Sequence, residues 1–337
     1  IIMVAGVIMN IFLAIGIYIT TLAIWGEQYL PTSEVKYGIT VDSLGYEMGL
    51  RNGDKIITID GQQVEDFSKI PSHILLEKAR TIQVLRDGKP TEVVIPDGFL
   101  SKMIKSQSAD LIGVRIPFEV ADFAKDSPAK AAGLKAGDQI VGLDSLSTPY
   151  FDIFRTEIQK HKNQQVTVLA LRGSDTLRLA VNVPEKGLIG VAPKAPLEYF
   201  NLAERHYNIL QAIPAGFAKT WRGIDNYWKQ LKLIFSKDVK AYESVGGFIT
   251  IGKIFPATWD WEAFWALTAF LSIMLAILNI VPIPGLDGGH VLFVLVEMIT
   301  GRKPSDKFLE YAQIVGMVLL FALLIFANGN DILKLFR

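Results

Sequence analysis

An uncharged apolar run from Ala263 to Leu286 constrains this 337-residue chain more than any other feature. A helix needs roughly 20 apolar residues to span a bilayer, and this run supplies them. It ends in Leu278-Asn279-Ile280-Val281-Pro282-Ile283-Pro284-Gly285-Leu286-Asp287-Gly288-Gly289-His290. Proline removes backbone donors and glycine frees the backbone, so the helix is expected to unwind there. Unwound backbone at membrane depth survives only where protein or a water-filled cavity covers it. An ionisable side chain in such a place, here Asp287, is a candidate functional group. The plainer alternative puts Asp287 just past the helix end, among the headgroups.

Further spans flank it. Ile1 to Gly26 carry no charge, and Ile2 to Trp25 read as a first span. A signal peptide would begin with a basic region and end in a small-residue cleavage site, and this run has neither. It starts without Met inside an apolar segment, so the chain reads as a piece of a longer protein. Its stretch Ala5-Gly6-Val7-Ile8-Met9-Asn10 offers small residues for close helix approach and an amide for bonding across a helix pair. A last span is expected over Tyr311 to Ala327, preceded by a loop with Arg302, Lys303 and Lys307. The positive-inside rule places that loop, and Asp287 before it, on the cytoplasmic side, with residues before the central span outside. His206 to Phe235 spaces apolar and aromatic residues at helical intervals beside Lys219, Arg222, Lys229 and Lys232. That pattern predicts an amphipathic helix on the membrane surface, with a core helix as the alternative. Ser244 to Gly252 is too short to span and reads as a re-entrant or surface turn.

Between the first span and this helix the chain repeats itself with an 84-residue period. Gly49-Leu50-Arg51-Asn52-Gly53-Asp54-Lys55-Ile56 answers Gly133-Leu134-Lys135-Ala136-Gly137-Asp138-Gln139-Ile140. Each copy continues into a helical stretch and a hairpin, around Asp87-Gly88 and Gly173-Ser174. Gly53 and Gly137 suit tight turns, and Asp54 and Asp138 suit local backbone hydrogen bonds. Net charge is zero, with 34 basic and 34 acidic residues, which gives no argument for nucleic acid. There are no cysteines, so disulfides and thiolate chemistry are excluded.

Two resemblances follow from these residues. The Gly-Leu-x-x-Gly-Asp-x-Ile copies resemble circularly permuted bacterial PDZ domains, which bind extended peptides by strand addition. By that resemblance the grooves lie beside Tyr37-Gly38-Ile39-Thr40 and Ile112-Gly113-Val114-Arg115. Spacers or a size filter that bind no peptide are the alternative. Asn279, Pro282, Pro284 and Leu286-Asp287-Gly288 resemble the third-helix signature of the site-2 protease family, the intramembrane zinc metalloproteases. The resemblance implies that Asp287 is a ligand to Zn2+ and that Asn279, Pro282 and Pro284 face the substrate. Gly6 and Asn10 resemble the family's Gly-x-x-x-Asn helix, with Val7 where the family usually has proline. A His-Glu-x-x-His motif would place two ligands and a base on one helix face. The four histidines here, His73, His161, His206 and His290, belong to no such motif, so the general base is expected upstream of Ile1. His290 is read as structural.

The expected fold class is a multi-pass α-helical membrane protein with two inserted PDZ-like mixed α/β domains. The expected order is a span over 1–26, PDZ-like domains over 34–110 and 111–193, and a linker with the amphipathic helix over 194–260. A motif-bearing span over 261–290 and a last span over 308–328 follow. The resemblance implies regulated intramembrane proteolysis in the bacterial inner membrane during envelope-stress signalling. Its partners are membrane lipids and transmembrane-helix substrates of the anti-sigma-factor type, along with remnant signal peptides; nucleic acid is not among them. A membrane-tethered peptide-binding adaptor without catalysis is the alternative. A transporter with a broken helix would call for inverted repeats, and the PDZ-like duplication is the one repeat found.

Overall fold

The computed structural model describes residues 2–106, 111–234, 247–256, 258–281, 287–301 and 305–335. The chain divides into two compact units, Ile1–Glu27 with Glu204–Arg337, and Gln28–Ala203.

The first unit is helical. Three of its helices are long and apolar enough to cross a membrane, over Ala5–Ile24, Trp261–Ile280 and Lys307–Ile332. The central helix, Trp261–Ile280, starts at Asp260, whose carboxylate accepts from the amide of Ala263 at 3.0 Å. Trp259 and Trp261 meet edge to face beside this cap and stay exposed, as amphipathic rings do at a membrane–water boundary. The helix stops at Ile280, where Val281 is already extended, and a new helix runs over Asp287–Thr300. The break therefore falls where the prolines and glycines put it; Pro282 to Leu286 lie outside the described residues.

The first helix packs on the central one through Ala14, Ile17 and Tyr18 against Ala269, Ile273 and Ile277. The cross-helix hydrogen bond runs from Ser272 Oγ to the main-chain carbonyl of Asn10, at 2.8 Å. Gly6 is exposed while Val7 is buried. The amphipathic helix expected over His206 to Phe235 runs over Ile209–Ile234 and docks along the first helix. A Cβ on Gly216 would stand 2.9 Å from the backbone nitrogen of Ile19, and one on Gly223 3.0 Å from Ile273. Lys219 reaches Glu27 at 3.1 Å, at the end of the first helix's unit segment.

The second unit holds the duplication. Each copy runs strand, short helix, strand, helix, hairpin, closing strand. In the first copy these are Ile39–Val41, Ser43–Met48, Lys55–Ile59, Ile70–Leu76, Thr81–Arg86 with Lys89–Val94, and Ile112–Val114. In the second they are Phe118–Phe123, Pro128–Ala131, Gln139–Leu143, Phe151–Ile158, Gln165–Arg172 with Asp175–Asn182, and Val191–Pro193. Each copy has its own buried core, around Ile39, Ile59 and Ile82 in one and Phe118, Ile140 and Val168 in the other.

The ladder changes the expected grooves. Ile39 pairs with Val114, Thr40 with Gly113 and Val41 with Ile112, all antiparallel. The two segments assigned to separate grooves are therefore the opening and closing strands of the first copy, which runs past the expected boundary at 110. The second copy's counterpart is Val191–Pro193 against Phe118–Phe123. The cause is an extra helix, Phe99–Ser106, between hairpin and closing strand of the first copy. It displaces the closing strand from the 84-residue period set by the glycines.

The Gly-Asp motif also does more than shape a turn. Asp54 accepts from the amide of Arg51 at 2.8 Å and from Arg86 Nε and Nη2 at 2.8 and 2.7 Å. Asp138 repeats this with Lys135 at 2.8 Å and Arg172 at 2.7 Å twice. Each buried aspartate thus ties its turn to the hairpin.

Candidate active site

The site expected from the sequence lies where the central helix ends and the next begins. Asn279 occupies the last turn of Trp261–Ile280 and is half-buried. Asp287 is the first residue of Asp287–Thr300, one position before buried Gly288. A Cβ on Gly288 would stand 2.4 Å from the carbonyl oxygen of Val281 and 2.6 Å from that of Asn279. Backbone cannot yield to such an approach, so only glycine fits. This seat brings the start of the Asp287 helix onto the carbonyl end of the central helix, beside the Asn279 main chain. The first helix packs on both. Pro282 and Pro284 lie outside the described residues. His290 follows Asp287 by one turn and is half-buried.

Asp287 offers one carboxylate. Among the described residues no group of three or more His, Cys, Asp or Glu side chains could hold a metal ion. The described residues do not make a zinc site by themselves.

A second polar feature of the helical unit escaped the sequence reading. Asp331, near the end of the helix Asp306–Leu335, is buried and accepts from the amides of Gly247 and Thr250 at 3.0 and 2.9 Å. It also accepts from Thr250 Oγ1 at 2.5 Å, and Asn328 Oδ1 takes the amide of Phe248 at 3.2 Å. The last helix thus caps the short helix Phe248–Gly252, a stretch expected to be a re-entrant or surface turn. The available signal was an aspartate close behind an apolar run, a position where a charge needs partners.

In the second unit, a cleft of about 440 Å³ lies between the Phe151–Ile158 helix and the closing segment, lined by Phe118, Phe154, Ile158 and Leu188. A larger cleft of about 1080 Å³ joins the two copies, lined on one side by Gly113 and Val114 and on the other by Arg155 and Thr156. The copies are tied by Arg115, whose Nε and Nη2 reach the Asp152 carboxylate at 3.0 Å each. Asn52 adds a third bond to Asp152 at 3.0 Å, and the Arg115 guanidinium sits 4.3 Å over the ring of Tyr150. Tyr37 and Tyr150 meet with centroids 6.0 Å apart.

Comparison with known proteins adds a family. The model of peptidase family M50 matches residues 1–323. A protein from Pasteurella multocida whose name describes a zinc metalloprotease is 27% identical, over 98% of this chain and 77% of its own length. A regulator of sigma E protease from Haemophilus influenzae is 26% identical, over 99% of this chain and 78% of its own. A regulator of sigma-E protease from Salmonella typhimurium is also 26% identical, over 88% and 70%. Among solved structures, the PDZ domain of an SdrC-like protein from Listeria monocytogenes covers 25% of this chain and 94% of its own, at 23% identity and a TM-score of 0.22.

Proposed function

The chain belongs to peptidase family M50, whose cofactor is zinc, and from that premise we propose that it serves as an intramembrane endopeptidase acting on single-span membrane proteins. The observation that carries the reading is the Gly288 seat, which sets Asp287 against the end of a membrane-length helix beside Asn279. A catalytic zinc usually takes three protein ligands, and Asp287 is proposed as one of them.

Substrates of the anti-sigma type, and remnant signal peptides, suit relatives named as regulators of sigma-E protease. The protein then sits in the bacterial inner membrane, with the repeat unit outside the cytoplasm as the basic loop before the last helix suggests. A substrate helix must open before its peptide bonds can be attacked, because its carbonyls are tied in i to i−4 bonds. The amide of Asn279 can donate and accept, so it and the residues up to Gly285 can hold an opened strand. The two copies of the repeat unit, read as PDZ-like, gate access to that site.

The test is Asp287→Asn in the complete protein. The change keeps the shape and removes the charge. It should abolish cleavage of a model substrate and lower zinc content while leaving membrane insertion intact. A variant with full zinc and full cleavage would overturn the assignment.

A further inference from the structure

An apolar cleft of about 470 Å³ opens between the first helix and the start of the central one, lined by Phe12, Leu13, Gly16, Ile24 and Trp25 on the first and Trp265 on the second. We propose that it seats an acyl chain of one phospholipid whose headgroup carries an ammonium group. The inference goes beyond the proteolysis reading and needs only that these two membrane-length helices lie in a bilayer.

Size and lining select the chain. The lining runs from Phe12 to Trp25, about 20 Å along a helix. That is closer to the depth of one leaflet, about half of a hydrocarbon core of roughly 30 Å, than to the length of a spanning helix. Gly16 is exposed there, and a Cβ on it would meet nothing within 4 Å. The two hydroxyls of the lining turn back on their own helix. Thr20 Oγ1 donates to the carbonyl of Gly16 at 2.8 Å, and Thr21 Oγ1 to that of Tyr18 at 3.2 Å. The wall therefore offers hydrocarbon contact, which suits an acyl chain and disfavours a polar ligand.

The mouth selects the headgroup. Trp265 touches Phe264 with ring centroids 5.3 Å apart, Phe264 touches Trp259 at 5.3 Å, and Trp259 meets Trp261 at 5.1 Å. Touching rings thus lead from the cleft to the cap of the central helix, where Trp259 is 68% exposed. Asp260 and Glu262 stand exposed among these rings, and the nearest Lys or Arg in sequence are Lys253 and Arg302. The bases around the outgoing end of the first helix are already engaged. Lys219 pairs with Glu27 at 3.1 Å, His206 with Glu204 at 3.2 Å, and Arg205 has a partner of its own. Exposed ring faces beside two carboxylates attract an ammonium group and repel an anionic headgroup.

The test purifies the complete protein in detergent and adds equal amounts of phosphatidylethanolamine and phosphatidylglycerol with the same acyl chains. Mass spectrometry of the intact complex then counts what each chain retains. One phosphatidylethanolamine should be kept, favoured about tenfold over phosphatidylglycerol. Gly16→Leu fills the cleft with a better helix former, so it should lose that lipid with helicity and zinc content unchanged. Glu262→Lys with Asp260→Asn, an exchange that keeps a capping side chain, should shift retention toward phosphatidylglycerol. Equal retention of the two lipids would mean a general aromatic belt and overturn the proposal. So would retention that survives Gly16→Leu, or a preference that ignores the charge variant. Failure to retain any lipid, as when another helix of the complete protein fills the cleft, would overturn it as well. The count needs neither zinc nor cleavage, so a chain that cleaves without holding the lipid leaves the protease reading standing, and one that holds it without cleaving leaves the lipid site standing.

Discussion

The hydrogen atom that serves as the side chain of Gly288 is what lets two helix ends meet. Its Cα faces carbonyl oxygens of Val281 and Asn279, and backbone oxygens have no rotamer by which to escape. Gly288→Ala should cost about 1–3 kcal/mol locally by overpacking and displace Asp287 from its place. The expected outcome is reduced zinc content and cleavage with normal insertion, read by metal analysis beside an activity assay. Parental zinc and cleavage in that variant would mean the close seat is not needed. Asp138 makes a different kind of prediction, about pH. The Arg172 guanidinium beside it, helped by the Lys135 amide, holds its carboxyl below the usual carboxylate range, against the opposing effect of burial. A depressed folded-state pKa contributes stability that is present above the ordinary aspartate value, about 3.9, and lost as pH falls through and below it. Thermal unfolding of the repeat unit should therefore become easier below about pH 4, and Asp138→Asn should flatten that dependence. An identical pH profile for the variant would remove the pair from the account. The aspartate was visible in its motif, but its arginine lies 34 residues on and bears no local signature.

Elements show where sequence patterns lead correctly and where they mislead. The Phe248–Gly252 helix has no cap of its own and takes it from Asp331 and Asn328 of the last helix. Asp331→Ala should leave the amides of Gly247 and Thr250 without partners and speed their hydrogen exchange, while exchange along Trp261–Ile280 stays unchanged. Unaltered exchange at those two amides would show that the cap does not hold the segment. Membrane-length helices and their break were legible because length, absence of charge and the Pro/Gly run act locally. The duplication was legible because the Gly-Asp turn repeats. Strand pairing was not, since Ile39 and Val114 meet across an inserted helix that shifts the period. The docking of Ile209–Ile234 was hidden for another reason. Its first half turns Leu210, 80% exposed, and Trp221, 72% exposed, away from the partner and buries Ala212, Gly216 and Thr220, while Ile224, Tyr227 and Leu231 farther along pack on the helical core. Among membrane helices the packed face is marked by small residues that let backbones approach. Along this helix apolar periodicity marks the packed side only from Ile224 onward.

At the scale of the molecule, the repeat unit is an insertion between two segments of the helical unit, and each unit has its own core. The helical core of Ala14, Ile17, Tyr18, Ala269, Ile273 and Ile277 draws nothing from Gln28–Ala203, so it should survive removal of that stretch. The Arg115–Asp152 pair makes the two copies one body, with Asp152 only 11% exposed, so a gate built from them acts as a whole. A gate contributes selectivity and no bond-making, and its loss should change which substrates are cut more than whether any are. Deleting Ser33 to Ala192 and joining the ends with a flexible linker should preserve cleavage of a substrate with a short ectodomain. The same deletion should raise cleavage of a long-ectodomain substrate toward the short one's rate, because the proposed obstacle is gone. The comparison to make is the ratio of the two cleavage rates before and after deletion, with zinc content as the control for an intact site. Complete loss of cleavage with normal insertion and zinc would assign the repeat unit a direct part in presenting the peptide bond. An unchanged ratio with cleavage intact would remove it from substrate selection altogether.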